Sequence, residues 1–179
     1  MKPLKLLFLA SLIWLVVELS EIGLMATSTV PLLMKTLTHL LLAVGIWALV
    51  SGAGNRGLAT AAAAIGTAGH LISAYPPLQI FRSYDADLLL LVRENTLFFA
   101  GALAVAVSFL LFGLALRNDS ELPSWAPTGL MLGAVIVAVA TWLGWPLWLV
   151  NLANVLTCLS VFAVCSRRLP APANPVEAS

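Results

Sequence analysis

Four ionisable side chains interrupt stretches of this chain that are otherwise apolar. Glu18 and Glu21 stand in the run SLIWLVVELSEIGLM, and His39 and His70 lie in the next two apolar stretches. A charged side chain near the centre of a bilayer costs about 2.5–3.5 kcal/mol on insertion scales. Each carboxylate therefore needs a charged partner, water or a proton, and His39 and Lys35 are candidate partners for Glu18.

The composition indicates that these stretches cross a membrane. Hydrophobic residues make up 61% of the 179 residues and charged residues only 9%, whereas a soluble domain carries about 25% charged residues. The formal net charge of +1 provides no electrostatic basis for binding nucleic acid. Cys158 and Cys165 lie seven positions apart in one apolar run, a spacing that does not suit a disulfide within a helix.

The spacing of the apolar runs predicts an all-α integral membrane protein with a compact bundle of about six transmembrane helices. We expect a single transmembrane domain over residues 1–168, with an uncleaved first span, and a disordered tail over residues 169–179. The predicted spans are 6–26, 32–50, 58–75, about 93–116, 127–143 and 147–164. Pro76 and Pro77 are expected to end the third span, and Arg167 and Arg168 the sixth.

The distribution of basic residues predicts the orientation. With both termini inside, the inner side holds six of the nine Lys and Arg residues, and the outer side holds Lys35, Arg82 and Arg93. The positive-inside rule therefore favours cytoplasmic termini. The short loops and the compact chain favour a bacterial inner membrane, with the lipid bilayer as the main partner.

The rise per residue of an α-helix gives the approximate depth of each candidate site residue in the membrane. Since successive spans alternate in direction, Glu18, Glu21, His39 and His70 fall in the same half of the membrane, and Asn151 and Asn154 enter from the same end. Small residues fill the third span, and Ala62, Gly66 and His70 share one of its faces, so we expect His70 to face protein in a central helix. The predicted ligand-binding set is Glu18, Glu21, His39, His70, Asn151 and Asn154, around a polar pocket open to the outside.

Such a pocket favours binding, transport or sensing of a small molecule, with Glu18 as a proton-coupled group. Other interpretations stay open. Glu18, Glu21, His39 and His70 are suitable ligands for a metal in an intramembrane enzyme, and His39 and His70 for a haem. The chain could equally be an accessory subunit that docks a membrane-protein partner or a second copy. The sequence identifies no cofactor and no catalytic residue.

Overall fold

A computed structural model describes residues 3–24, 29–83 and 96–169. This part of the chain is all-helical and contains six helices long and apolar enough to cross a membrane. The helices are α1 (Pro3–Leu24), α2 (Thr29–Gly45), α3 (Arg56–Ser83), α4 (Thr96–Leu116), α5 (Trp125–Leu143) and α6 (Leu147–Arg168). A 3₁₀ helix (Ile46–Gly52) continues α2. The prediction of six helices long and apolar enough to span a membrane is confirmed, and these helices suggest a multi-pass membrane protein.

One predicted helix end is wrong. The apolar stretch of α3 that could cross a membrane ends at Tyr75, but the helix continues through Pro76 and Pro77 to Ser83, because proline removes an amide donor while its fixed φ near −65° remains compatible with a helix. α6 ends at Arg168, as expected from Arg167 and Arg168, and positive charge there is favoured by the carbonyl end of the helix dipole. The predicted start of the fourth span, at residues 93–95, and the tail from residue 170 lie outside the described residues.

The six helices form a closed ring in sequence order. Each helix packs against the next one in the chain, and α6 returns to pack against α1. We call the end where α1 begins and α6 finishes the N/C end, and the opposite end the far end. Large apolar side chains fill the middle of the ring, and the outer faces expose others in a manner that suits contact with lipid. Buried examples are Leu7, Leu42, Phe109, Phe112 and Leu116, and exposed ones are Val16, Val44, Leu132 and Leu152.

The α3–α4 interface is the most extensive in the ring and is built from small residues. A Cβ on Gly66 would overlap Ser108, whose hydroxyl donates to the Ala62 carbonyl at 2.8 Å, and a Cβ on Gly69 would lie 2.8 Å from the Val105 amide nitrogen. The prediction that this face of α3 packs against protein is therefore confirmed. The expectation that α3 is the central helix is wrong, since small residues mark a close helix pair and α3 is one member of the ring.

Candidate functional site

The two histidines of the chain contact each other between α2 and α3. Their Nδ1 atoms lie 3.0 Å apart and their ring centroids 5.3 Å apart. One turn towards the N/C end, the Thr67 hydroxyl donates to the Ala43 carbonyl at 2.9 Å and holds the same two helices together. Because a neutral imidazole carries a single N–H, one histidine donates from Nδ1 and the other accepts there. A neutral pair therefore consists of two different tautomers.

Glu18 is buried on α1 and receives a hydrogen bond from the same helix. Its side chain is 2% exposed, and the Trp14 indole nitrogen, four residues earlier on the same face, donates to its Oε1 at 2.8 Å. The Trp14 ring meets His70 edge-on, with centroids 6.3 Å apart, and lies against the Phe109 ring at 5.9 Å. Trp14 therefore connects the carboxylate of α1 with the imidazole of α3 and with α4.

α6 also carries buried polar side chains. The Cys158 thiol is buried at 1% exposure. Asn151, two turns nearer the far end, is also buried at 3% exposure. α6, which closes the ring against α1, thus places a thiol and an amide among the buried side chains. We call Glu18, Trp14, His39 and His70 the imidazole centre.

Unused hydrogen-bonding capacity remains around the centre. The Nε2 of His70 and the hydroxyls of Thr38 and Ser73 are buried and have no hydrogen-bond partner among the described residues. Thr38 precedes His39 in α2, and Ser73 lies one turn from His70 on α3. An unpaired buried polar group costs about 1–3 kcal/mol. Among these atoms the Nε2 of His70 belongs to the imidazole centre itself and can bond a small polar group there, whereas the Ser73 hydroxyl lies against Gly101 of α4.

The predicted site residues are distributed unevenly. His39 contacts His70, Trp14 joins Glu18 to His70, and Asn151 is buried on α6. Asn154 is half-buried, and the side chain of Glu21 lies outside the described residues although its backbone belongs to α1. Sequence reasoning missed Trp14, Thr38 and Ser73. The four-residue spacing of Trp14 and Glu18 in an apolar helix was a usable signal for the first of these.

An apolar layer separates the imidazole centre from the N/C end. Leu7, Leu42, Leu49, Phe112 and Leu116 are fully buried there. The rings of Phe8 and Phe162 add an aromatic pair that joins α1 and α6, with centroids 4.7 Å apart. A polar group in the centre therefore meets hydrocarbon side chains in the direction of the N/C end.

The arrangement was compared with the two cofactor hypotheses. Among residues 3–24, 29–83 and 96–169, no three His, Cys, Asp or Glu side chains come close enough to hold a metal ion. The direct Nδ1–Nδ1 contact leaves no space for a haem iron between these two nitrogens, since metal–nitrogen bonds of about 2 Å on each side would separate them further. The side chain of Glu21, which the metal hypothesis includes, lies outside the described residues, so both interpretations stay predictions.

Comparison with known proteins gives no further assignment. No protein-family model, curated protein or solved structure matches this chain. The geometry of the imidazole centre is therefore the basis for a functional proposal.

Proposed function

We propose that this protein binds a small molecule in the outer half of a membrane, in order to sense or move it, and that a proton at the His39–His70 pair takes part. The observation that carries the proposal is the 3.0 Å contact between the two Nδ1 atoms. His70 is fully buried and His39 half-buried, and two imidazoles joined by one hydrogen-bonding proton form a group that can exist in more than one protonation state.

Protonation of both imidazoles would change the contact between α2 and α3. One added proton can bind the free Nε2 of the histidine that donates, which keeps the Nδ1–Nδ1 hydrogen bond, whereas a second added proton makes both Nδ1 atoms donors, breaks that bond and adds like-charge repulsion. His70 is fully buried, and Lys35 lies one turn from His39 on α2, so two positive charges on the pair are costly. Double protonation is therefore expected to turn or separate the two imidazole rings.

The apolar layer supports access from one side only. Buried leucines and phenylalanines lie between the centre and the N/C end, while Asn151 and the exposed Trp142, Trp145 and Trp148 belong to the far end. Tryptophan favours the level of lipid headgroups. If both termini are cytoplasmic, as the basic residues favour, the far end faces the outside and the centre takes its proton and ligand from there.

The chain offers a direct spectroscopic test because it contains only two histidines. Protein labelled with ¹⁵N at histidine and placed in proteoliposomes gives solid-state NMR signals from the pair alone. We expect two tautomers at neutral pH, and we expect both signals to change together when the medium on the far-end side is acidified. Acidifying the other side should have no effect.

Two variants make the test specific. His39→Gln leaves one histidine, which should show a single tautomer and titrate as an isolated group. Ser166→Ala changes an exposed hydroxyl near the N/C end, where it donates to Phe162, and should leave the spectrum unchanged. Two identical tautomers, or independent titration of the two wild-type histidines, would contradict the proposal.

A further inference from the structure

A second polar region lies at the N/C end and takes no part in the imidazole centre. It surrounds a cavity of about 590 Å³, within the range of small-molecule sites. The walls come from the start of α1, the 3₁₀ helix, the α4–α5 connection and the end of α6. The lining residues are Leu4, Ala48, Ser51, Gly52, Gly54, Asn118, Asp119, Ser120, Glu121 and Arg168.

Arg168 joins three of these walls. Its Nη2 donates to the Gly52 carbonyl at 2.7 Å and to Asp119 Oδ2 at 2.7 Å, and its Nη1 makes a longer contact of 3.4 Å with the Leu49 carbonyl. The side chains of Arg168 and Asp119 are 11% and 12% exposed. A planar guanidinium can hold several acceptors at once, which an ammonium cannot do in the same geometry.

Gly52 leaves room for the guanidinium. A Cβ at this position would lie 2.6 Å from Arg168 Nη1, so any larger residue would displace the arginine head group. The carbonyls of the 3₁₀ helix are available to Arg168 because this segment ends there, with Ala53 extended after it. The sequence thus provides both the acceptors and the space for one particular side chain.

We propose that this cavity is a vestibule for small polar solutes at the N/C end of the bundle, and that Arg168 is the latch that closes it towards the interior. The latch fixes α6 to the 3₁₀ helix that continues α2 and to the α4–α5 connection. Two leucines of the apolar layer are close in sequence to the acceptors of Arg168: Leu49 precedes Gly52, and Leu116 precedes Asp119. Release of Arg168 therefore loosens the apolar layer beneath the cavity. When the latch is released, the cavity becomes the mouth of a path to the imidazole centre. This role of the cavity rests on the proposed function.

Cys165 provides a native reporter for this latch. It lies one turn before Arg168 on α6 and is fully buried, and the only other cysteine is Cys158. In a Cys158→Ala background, a polar maleimide reacts with Cys165 only when the N/C end opens. Labelling rates of protein in lipid nanodiscs, followed by mass spectrometry, therefore measure the release of the latch.

We expect Arg168→Gln to raise the Cys165 labelling rate roughly tenfold, since reagent reaches a buried group only through local opening. Arg167→Gln is the matched control, because Arg167 is the adjacent exposed arginine and should label at the parent rate. Equal rates in the parent and Arg168→Gln, or equal acceleration in both arginine variants, would overturn the latch.

Two milder variants keep the test decisive if Arg168→Gln folds poorly. Gly52→Ala displaces the guanidinium without removing its charge, and Asp119→Asn removes the negative charge that pairs with it. Both should accelerate labelling, and parent rates in both would overturn the latch. The histidine spectrum reports on the proposed function separately. If the two histidines titrate together but the Arg168 variants do not change the Cys165 labelling rate, only the latch is rejected. If labelling accelerates but the histidines titrate independently, the proposed function and the role of the cavity as a mouth are rejected.

Discussion

The imidazole centre and the Arg168 latch show two ways of holding polar groups in one apolar ring. In the centre, Trp14, Glu18, His39 and His70 come from the first three helices, and each contact is a hydrogen bond or a ring contact inside the bundle. In the latch, Arg168 and Asp119 carry full charges, lie beside a cavity, and are 49 residues apart in the chain.

Depth explains the difference. In the interior, an ionised pair must recover a desolvation cost of several kcal/mol per ion, whereas imidazoles and an indole can hydrogen-bond without any formal charge. Beside the cavity at the end of the ring, the guanidinium and carboxylate keep part of their hydration. The centre should therefore depend on packing and hydrogen bonds, and the latch on charge. Three measurements test this contrast.

The largest effect is expected from Trp14→Ala. The change removes a large side chain that contacts His70 and Phe109, and it also removes the indole donor to Glu18. We expect a loss of about 3–5 kcal/mol in the free energy of unfolding, as for other buried aromatic truncations. Unfolding in mixed micelles at increasing SDS content measures this loss.

Trp148→Ala provides the control for Trp14→Ala. Trp148 is 55% exposed at the start of α6, so its truncation should cost less than about 0.5 kcal/mol, as for other surface changes. Similar losses for the two tryptophans would mean that packing around Trp14 does not stabilise the imidazole centre. The centre would then not differ from the latch in its dependence on packing.

A smaller effect is expected from the coupling between His39 and His70. Single changes to Ala each remove one partner of the Nδ1 contact, and the double change removes both. We expect a coupling free energy of about 0.5–1.5 kcal/mol from the double-mutant cycle, the net value of one intramolecular hydrogen bond. The same unfolding measurement gives all four corners of the cycle.

The comparison cycle uses Trp47 and Thr67. These residues also join α2 to α3 through a side-chain hydrogen bond of 2.9 Å, but on an exposed part of the interface. The Trp47→Phe and Thr67→Val cycle should show a coupling of about 0.6 kcal/mol, the average for side-chain hydrogen bonds between membrane helices. Additive losses at His39 and His70 would show that the two imidazoles are neighbours without a stabilising bond.

Much of the fold could be predicted from the sequence because the bilayer length restricts it. Apolar runs of about 20 residues locate spans without tertiary information, and all six were found. The end of α3 could not be found, since Pro76 and Pro77 are compatible with a helix when neighbouring elements support it. The ring order was also hidden, because short connections fix which helices are adjacent in sequence but not that α6 closes on α1.

The two polar regions differed in how far sequence could locate them. Glu18, His39 and His70 could be placed at one level by counting helix rise, and the structure brings them together with Trp14. Arg168 was interpreted only as the end of a helix, since its partners lie 49 and 116 residues away. Local spacing predicts depth in a membrane, whereas long-range pairing requires the packed helices.

The smallest effect should come from salt, and it tests the role of charge most directly. Arg168 and Asp119 line a cavity, so dissolved ions can approach the pair and screen it. We expect Asp119→Asn to cost up to about 1 kcal/mol at low ionic strength. Roughly half of that cost should disappear near 1 M salt, where the Debye length falls to about 3 Å. The His39–His70 coupling should not change over the same range, because a neutral hydrogen bond inside the bundle has no net charge to screen. Salt sensitivity at both places would mean that the histidine pair is charged. Insensitivity at both would mean that the Arg168 contacts with the Leu49 and Gly52 carbonyls, not its charge pair with Asp119, hold the latch closed.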